Sequence, residues 1–311
     1  MAPPSSPPSN DRPAKKPSNL TVRIISALVL IPIVLAVGYI GHPWFDLFVI
    51  LFAGIMAWEW ARIAGRRRNP ADPSPAARLP VGNWTLGSIG LIFVVVNVLV
   101  MVRGPLIENW PAEFDYSLWN ILKLLIAAVV GATIFALYEN RSRAIWFGIG
   151  AIYILAPSLA VLWVRDDPVT GQGILLLTWI LALVIATDTG AYAAGRSIGG
   201  PKLAPRISPN KTWAGLLGGM VSAALVGLVF GLFLNLPSIW KLMILSAGLA
   251  VIEQVGDLLE SAFKRRFGMK DSSHIIPGHG GVLDRVDGLL AVSVAVAALD
   301  YFGEGSVLSW L

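Results

Sequence analysis

The chain is predicted to be an all-α, polytopic transmembrane protein of about nine spans, N-terminus cytoplasmic and C-terminus outside. Three observations predict it: composition, a series of apolar runs, and the placement of basic residues. Of 311 residues, 55% are hydrophobic and only 14% charged, with a mean hydropathy of +0.68, which is too apolar for a polar surface to keep in solution. A bilayer core about 30 Å thick takes roughly 20 helical residues at 1.5 Å each, and runs of about that size recur along the chain. Lys and Arg then favour every second loop, as cytoplasmic loops do. With no cysteine, disulfide scaffolds, thiol nucleophiles and thiolate metal sites are excluded. Three histidines leave little for an imidazole centre, so any metal is expected on oxygen. The net charge of +5 follows from topology and carries no expectation of nucleic acid.

Residues 1–19, rich in Pro and Ser and poor in large apolar side chains, are expected to form a disordered cytoplasmic tail. The first run, about Val22 to Ile40, is longer than a signal-peptide core and continues past Gly41-His42-Pro43 into another, so it is expected to be a retained span. Eight more follow: about Trp44 to Gly65, Trp84 to Val102, Leu118 to Leu137, Ile145 to Val164, Ile174 to Ala194, Trp213 to Leu234, Ile239 to Leu259 and Val286 to Tyr301. Residues 20–165 are then expected to form an N-terminal set of transmembrane helices, and 166–311 a C-terminal region that, in an enzyme, would carry the catalytic site on the cytoplasmic face. With the N-terminus inside, 20 of the 24 Lys and Arg fall in the tail and cytoplasmic segments; Arg103, Lys123, Arg165 and Lys241 do not. An alkaline phosphatase reporter at the C-terminus is therefore expected to be active and one near Arg67 silent; the reverse pattern would sink the topology.

Acids, glycines and basic loops concentrate at the cytoplasmic ends of spans six to nine. Asp188, in the last turns of an apolar helix, is costly there unless it has a partner or a watery cavity, and an ion pair with Arg196 competes with a functional role. Ser208-Pro209-Asn210-Lys211-Thr212 precedes span seven, where hydroxyls, an ammonium and free N–H groups suit a phosphate; a simple helix cap is the alternative. Gly195 to Lys202 faintly resembles a phosphate-binding loop, but Pro201 stands where the Lys belongs and no strand precedes it. On span eight Glu253, Asp257, Glu260, Ser261 and Lys264 recur at steps of three and four, one helix face, with Glu260 and Lys264 able to pair without any function. Asp284 and Asp287 fall one turn apart at the start of span nine. They read either as an N-cap with its third-position acid or as paired carboxylates for a divalent ion beside phosphates.

The ordered set Ser261-x-x-Lys264-Arg265-x4-Lys270-Asp271-x5-Pro277-Gly278-His279-Gly280-Gly281-Val282-x-Asp284-Arg285-Val286-Asp287 resembles the signature of phosphatidate cytidylyltransferases, or CDP-diacylglycerol synthases. Asp188-Thr189-Gly190-Ala191-Tyr192 and Ser208-Pro209-Asn210-Lys211-Thr212 look like that family's other blocks. The resemblance covers about residues 186–290; the N-terminal half matches only as a generic set of spans. It implies a Mg2+-dependent membrane enzyme, with room for a second cation, that turns CTP and phosphatidate into CDP-diacylglycerol and pyrophosphate. It implies metal binding by Asp257 and Asp284, with Asp188 and Asp287 shaping the pocket. Lys264 and Asp287 join those two in catalysis, while Ser208, Lys211, Thr212, Ser261, Arg265, Lys270, Asp271, His279 and Arg285 contact the substrates. Membrane lipids as partners, a homodimer and a bacterial inner-membrane location come with the resemblance. A CTP-using lipid kinase and a cytidylyltransferase for another lipid share this phosphate-site logic. An ion-coupled transporter would instead want charges at mid-membrane in several spans and repeat-related broken helices.

Overall fold

The computed structural model describes residues 31–65, 86–103, 118–137, 144–166, 171–275, 280–303 and 306–309. The 1–19 tail, the start of the first apolar run and the loop arginines Arg66, Arg67, Arg68, Arg78, Arg141 and Arg143 lie outside the described residues. Helix α1 is Ile31–Ile40. It is followed by α2 (Trp44–Ala64), α3 (Leu86–Arg103), α4 (Leu118–Leu137), α5 (Ala144–Asp166) and α6 (Gly173–Ser197), then after a hairpin by α7 (Trp213–Phe233), α8 (Ile239–Arg266) and α9 (Leu283–Phe302). Six of them, α2, α4, α5, α6, α7 and α8, have the length and apolar composition to cross a membrane. Among the described residues α1 and α3 hold shorter apolar stretches, Ile31–Ile40 and Ser88–Leu99. Helix α9 carries Asp284, Arg285 and Asp287 in its opening turns and Asp300 near its end.

An all-α polytopic membrane protein is thus the architecture, with one addition to the sequence expectation. Between α6 and α7, β1 (Lys202–Ala204) and β2 (Ser208–Thr212) pair antiparallel, Lys202 facing Thr212 and Ala204 facing Ser208. The apolar count also stopped α8 short. The helix runs on past Leu259 to Arg266, because Glu260, Ser261 and Lys264 continue the face begun by Glu253 and Asp257.

Two buried clusters organise the bundle. One joins α2, α3, α4 and α5 through residues such as Met56, Trp60, Leu91, Phe147 and Ile154, and reaches Phe263 on α8 and Leu290 on α9. The other joins α6, α7, α8 and α9 through Trp179, Leu183, Ala223, Leu249, Val292 and Val296. In lipid, helix association rests on close packing and hydrogen bonds more than on hydrophobic burial. Helix α7 shows how: Gly215, Gly219, Ala223, Gly227 and Gly231, four apart, are its buried face. A Cβ on Gly218 would collide with Gly190 of α6, and one on Gly227 with Leu242 of α8. The opposite face of α7, with Leu217, Val221, Leu225 and Val229, is exposed and suits acyl chains.

The bundle ends are tied differently. At one end Trp60 of α2 stacks on Phe263 of α8 with centroids 3.7 Å apart, and its indole Nε1 donates to the carbonyl of Trp146 on α5 at 2.7 Å. At the other, Arg165 Nε donates to the Gly38 carbonyl at 2.6 Å, placing a cation at the negative end of α1. His42 pairs with the buried Asp46 close by.

Candidate active site

The end of α6, the hairpin, the last turns of α8 and the start of α9 meet at the Trp60 end of the bundle. Thr212 caps α7: its backbone is extended and its Oγ1 accepts from the Gly215 N–H at 3.0 Å, so the cap reading of this residue holds. Ser208 and Lys211 lie instead on β2. That strand carries the Lys211 ammonium to Asp257 of α8, where Nζ stands 2.6 Å from Oδ2. Ser261, one turn on, donates to Asp257 Oδ1 at 3.2 Å.

Lys264 is the hub between α8 and α9. Its ammonium is ion-paired with the fully buried Glu260 and donates to Asp284 Oδ1 at 2.5 Å. The pairing of Glu260 with Lys264 foreseen from their spacing is therefore present, but Lys264 also serves a second carboxylate on another helix. Asp284 Oδ2 accepts from the N–H groups of Ser272 and Gly281, each at 2.9 Å, and from the Ser272 hydroxyl at 3.0 Å. Asp284 precedes the apolar run that starts at Val286. Burial alone would raise its carboxyl, but Lys264 and these N–H donors outweigh it and hold it below the usual carboxylate range.

The four carboxyl groups of Asp188, Glu253, Asp257 and Asp287 gather beside this hub. Asp188 on α6 lies in the field of Glu253 and Asp257 on α8, of Lys211 and of Arg285. Asp287 lies in the field of Asp257, Asp188 and Lys264, and its Oδ1 accepts from the Gly288 N–H at 2.9 Å. Asp188 is thus joined to other acids and to Lys211. Arg196, the partner considered for it, is turned to Tyr192, whose hydroxyl it meets at 2.7 Å. Among the described residues no three metal-ligating side chains form a finished metal site: Asp257 is engaged by Lys211, and Asp284 by Lys264, Ser272 and Gly281.

The remaining cations stand on the rim. Arg265 is exposed and donates from Nη1 to the Met269 carbonyl at 3.0 Å and from Nε to Ile207 at 3.4 Å. Lys270, Asp271 and Arg285 are exposed. His279 lies outside the described residues, as do Pro277 and Gly278.

Of the two readings open for Asp284, the N-cap is not the one observed. Helix α9 begins at Leu283, its cap position is Val282 with no side-chain capping bond, and Asp284 falls in the first turn. The capping group comes from α2: Glu59, 0% exposed, accepts from the Val282 N–H at 3.0 Å and the Leu283 N–H at 2.7 Å. It also accepts from the hydroxyls of Ser273 at 2.5 Å and Ser272 at 3.2 Å. Neither Glu59 nor these serines figured among the sequence candidates. The signal was available, because the rule that singled out Asp188, an acid inside an apolar run, applies equally to Glu59.

The donor set is all oxygen, and the acids outnumber the nearby cations, which suits a hard divalent ion and its phosphate ligands. The chain is similar to known proteins along nearly its whole length. The cytidylyltransferase family model matches residues 21–302. The phosphatidate cytidylyltransferase of Brucella abortus (biovar 1, strain 9-941) is 37% identical over 298 residues, spanning 94% of this chain and 97% of the relative. Those of Haemophilus influenzae and Pseudomonas aeruginosa are each 34% identical, spanning 91% and 90% of this chain and 98% and 96% of the relatives.

Proposed function

The chain belongs to the cytidylyltransferase family, an integral membrane nucleotidyltransferase, and from that premise we propose that it joins CTP and phosphatidate into CDP-diacylglycerol and pyrophosphate. The observation that carries this reading is the meeting of Lys211, Lys264 and the acids Asp188, Asp257, Asp284 and Asp287 at one end of the bundle. Ammonium groups set among carboxylates suit a polyphosphate accompanied by a divalent ion.

In this reading Asp257 and Asp284 hold Mg2+, with Asp188 and Asp287 beside them and room for a second cation. When bound, Mg2+ neutralises charge on the triphosphate. Lys211, now against Asp257, and Lys264, against Asp284, lie where they can meet phosphate oxygens. Ser208, Ser261, Arg265, Lys270, Asp271, His279 and Arg285 complete the substrate contacts, while Thr212 anchors the hairpin to α7 as its cap. Phosphate monoesters have a second pKa near ~6, so phosphatidate arrives largely dianionic and needs no strong general base. A phosphatidate oxygen attacks the α phosphorus of CTP in line, and pyrophosphate leaves with its charge met by Lys and Arg. The site faces the cytoplasm in a nine-span, N-in, C-out arrangement, supported by the basic-residue asymmetry.

Purified protein given CTP, Mg2+ and phosphatidate is expected to form CDP-diacylglycerol and pyrophosphate. Phosphorylated lipid with CDP would identify a kinase instead. Transfer is expected to be direct, because there is no cysteine and the acceptor is already an ionised phosphate. Labelled pyrophosphate should therefore not exchange into CTP in enzyme freed of lipid. Robust lipid-independent exchange, lost in Ser261→Ala or His279→Ala, would promote that residue to nucleophile.

A further inference from the structure

We propose that Glu59, on the second helix, is a positioning residue for the site, acting as a clasp that holds Ser272 and Ser273 to the start of α9 at Val282 and Leu283 and, through them, sets the place of Asp284 and Lys264. The inference rests on the nucleotidyltransferase reading for its catalytic consequence and on geometry for the clasp itself. Each oxygen of Glu59 accepts one hydroxyl and one backbone N–H: Oε1 from Ser273 and Val282, Oε2 from Ser272 and Leu283. Four donors converge on a side chain that is 0% exposed, so both oxygens are satisfied where an unpartnered carboxyl would be costly. Two of the donors belong to the opening of α9, where N–H groups lack helical partners and the helix dipole favours a carboxylate.

The glycines of the loop fit this clasp. A Cβ on Gly281 would collide with the Ser272 hydroxyl and with Glu59 Oε1, and one on Gly280, at φ +90°, would come within 2.7 Å of Asp284 Oδ2. Both positions are therefore closed to side chains by the two carboxyl groups they pass between. The Ser272 hydroxyl lies between those groups, 3.2 Å from Glu59 and 3.0 Å from Asp284, with one proton to give. Ser272 still links both acids, because its hydroxyl can serve Glu59 while its N–H holds Asp284 Oδ2 at 2.9 Å, and Asp284 in turn accepts from Lys264. The neighbour of Glu59 supplies a second hold: Trp60 stacks on Phe263, next to Lys264. Helix α2 thereby grips the site on both sides, on α8 by an aromatic contact and at the start of α9 by an acid.

Displacing a catalytic constellation by about 1 Å costs up to about 100-fold in rate. Glu59→Gln, which turns one acceptor into a donor facing N–H and O–H groups, is expected to lower kcat about 10- to 100-fold with KM for CTP within about threefold. Amide hydrogen exchange at Val282 and Leu283 should accelerate while the interiors of α8 and α9 stay protected. Glu59→Asp, which keeps the charge, should recover part of kcat. A double cycle with Ser273→Ala should be non-additive, the serine substitution costing less once Glu59 is Gln. If Glu59→Gln fails to accumulate, Ser273→Ala alone carries the test, with an expected loss of kcat of about tenfold. Turnover within about threefold of wild type in Glu59→Gln, unchanged turnover in Ser273→Ala, or lost turnover with unaltered exchange at Val282 and Leu283 would each overturn the proposal. The exchange measurement needs no substrate. A wild-type protein that formed no CDP-lipid would thus overturn the function while leaving the clasp to be judged on those two amides.

Discussion

Asp257→Asn is expected to reduce CDP-diacylglycerol formation by at least about 10³-fold, roughly 4 kcal/mol, while the protein still accumulates in the membrane. The amide keeps the shape of the side chain and can still accept from Ser261, which now donates to Oδ1 at 3.2 Å, so folding loses little. What goes is the negative charge, which holds Lys211 at 2.6 Å and which a divalent ion would need as ligand. With Asn in place the ammonium loses its counter-charge and a cation loses a ligand. Asp284→Asn is expected to act alike. Turnover and membrane-inserted protein should be measured together across Mg2+ concentrations; near-normal activity of Asp257→Asn at limiting Mg2+ would make the acid structural and the metal assignment wrong.

Lys264→Met should damage both stability and turnover, and the two losses can be separated. The ammonium lies between Glu260 and Asp284, whose side chains are 0% and 7% exposed, so removing it leaves two enclosed carboxyl groups without their cation. Breaking one partner out of a buried pair typically costs about 3–5 kcal/mol. Loss of a preorganised positive group facing phosphate costs about 10²- to 10³-fold in rate. Pairing the change with Glu260→Gln removes one of the stranded acids, so the double variant should regain thermal stability in detergent without regaining turnover. Glu260→Gln alone should be milder in turnover than either aspartate substitution, since Asp284 still holds Lys264. A Lys264→Met protein with wild-type rate would remove this residue from the phosphate site.

Hydropathy made the helices legible because in lipid a span must satisfy its own backbone and present apolar side chains over a fixed length. That constraint is local, so Trp44–Ala64 and Leu118–Leu137 emerged from the count with little shift in their ends. It says nothing about polar continuations, hence the seven further residues of α8 after Leu259. The hairpin escaped for a related reason: strands of three and five residues among Gly and Pro leave no alternating pattern to read. The site was half legible. Asp257, Glu260, Ser261 and Lys264 share a face by spacing alone, and the Lys264–Asp284 contact crosses only 20 residues. The hold of Glu59 on Ser272 spans 213 residues, and no periodicity within either segment encodes it. In the sequence, Trp58-Glu59-Trp60-Ala61-Arg62 marks Glu59 as an acid within an apolar run but not the segment that it meets.

That long separation also sets an order in time. A chain made at about 5–20 residues per second brings Ser272 some 10–40 s after Glu59. Helix α2 is therefore complete well before any of the four donors to its buried acid exists. The helix forms early, but the donors that satisfy its buried acid come only with the segment between α8 and α9, and a chain cut short before Ser272 never supplies them.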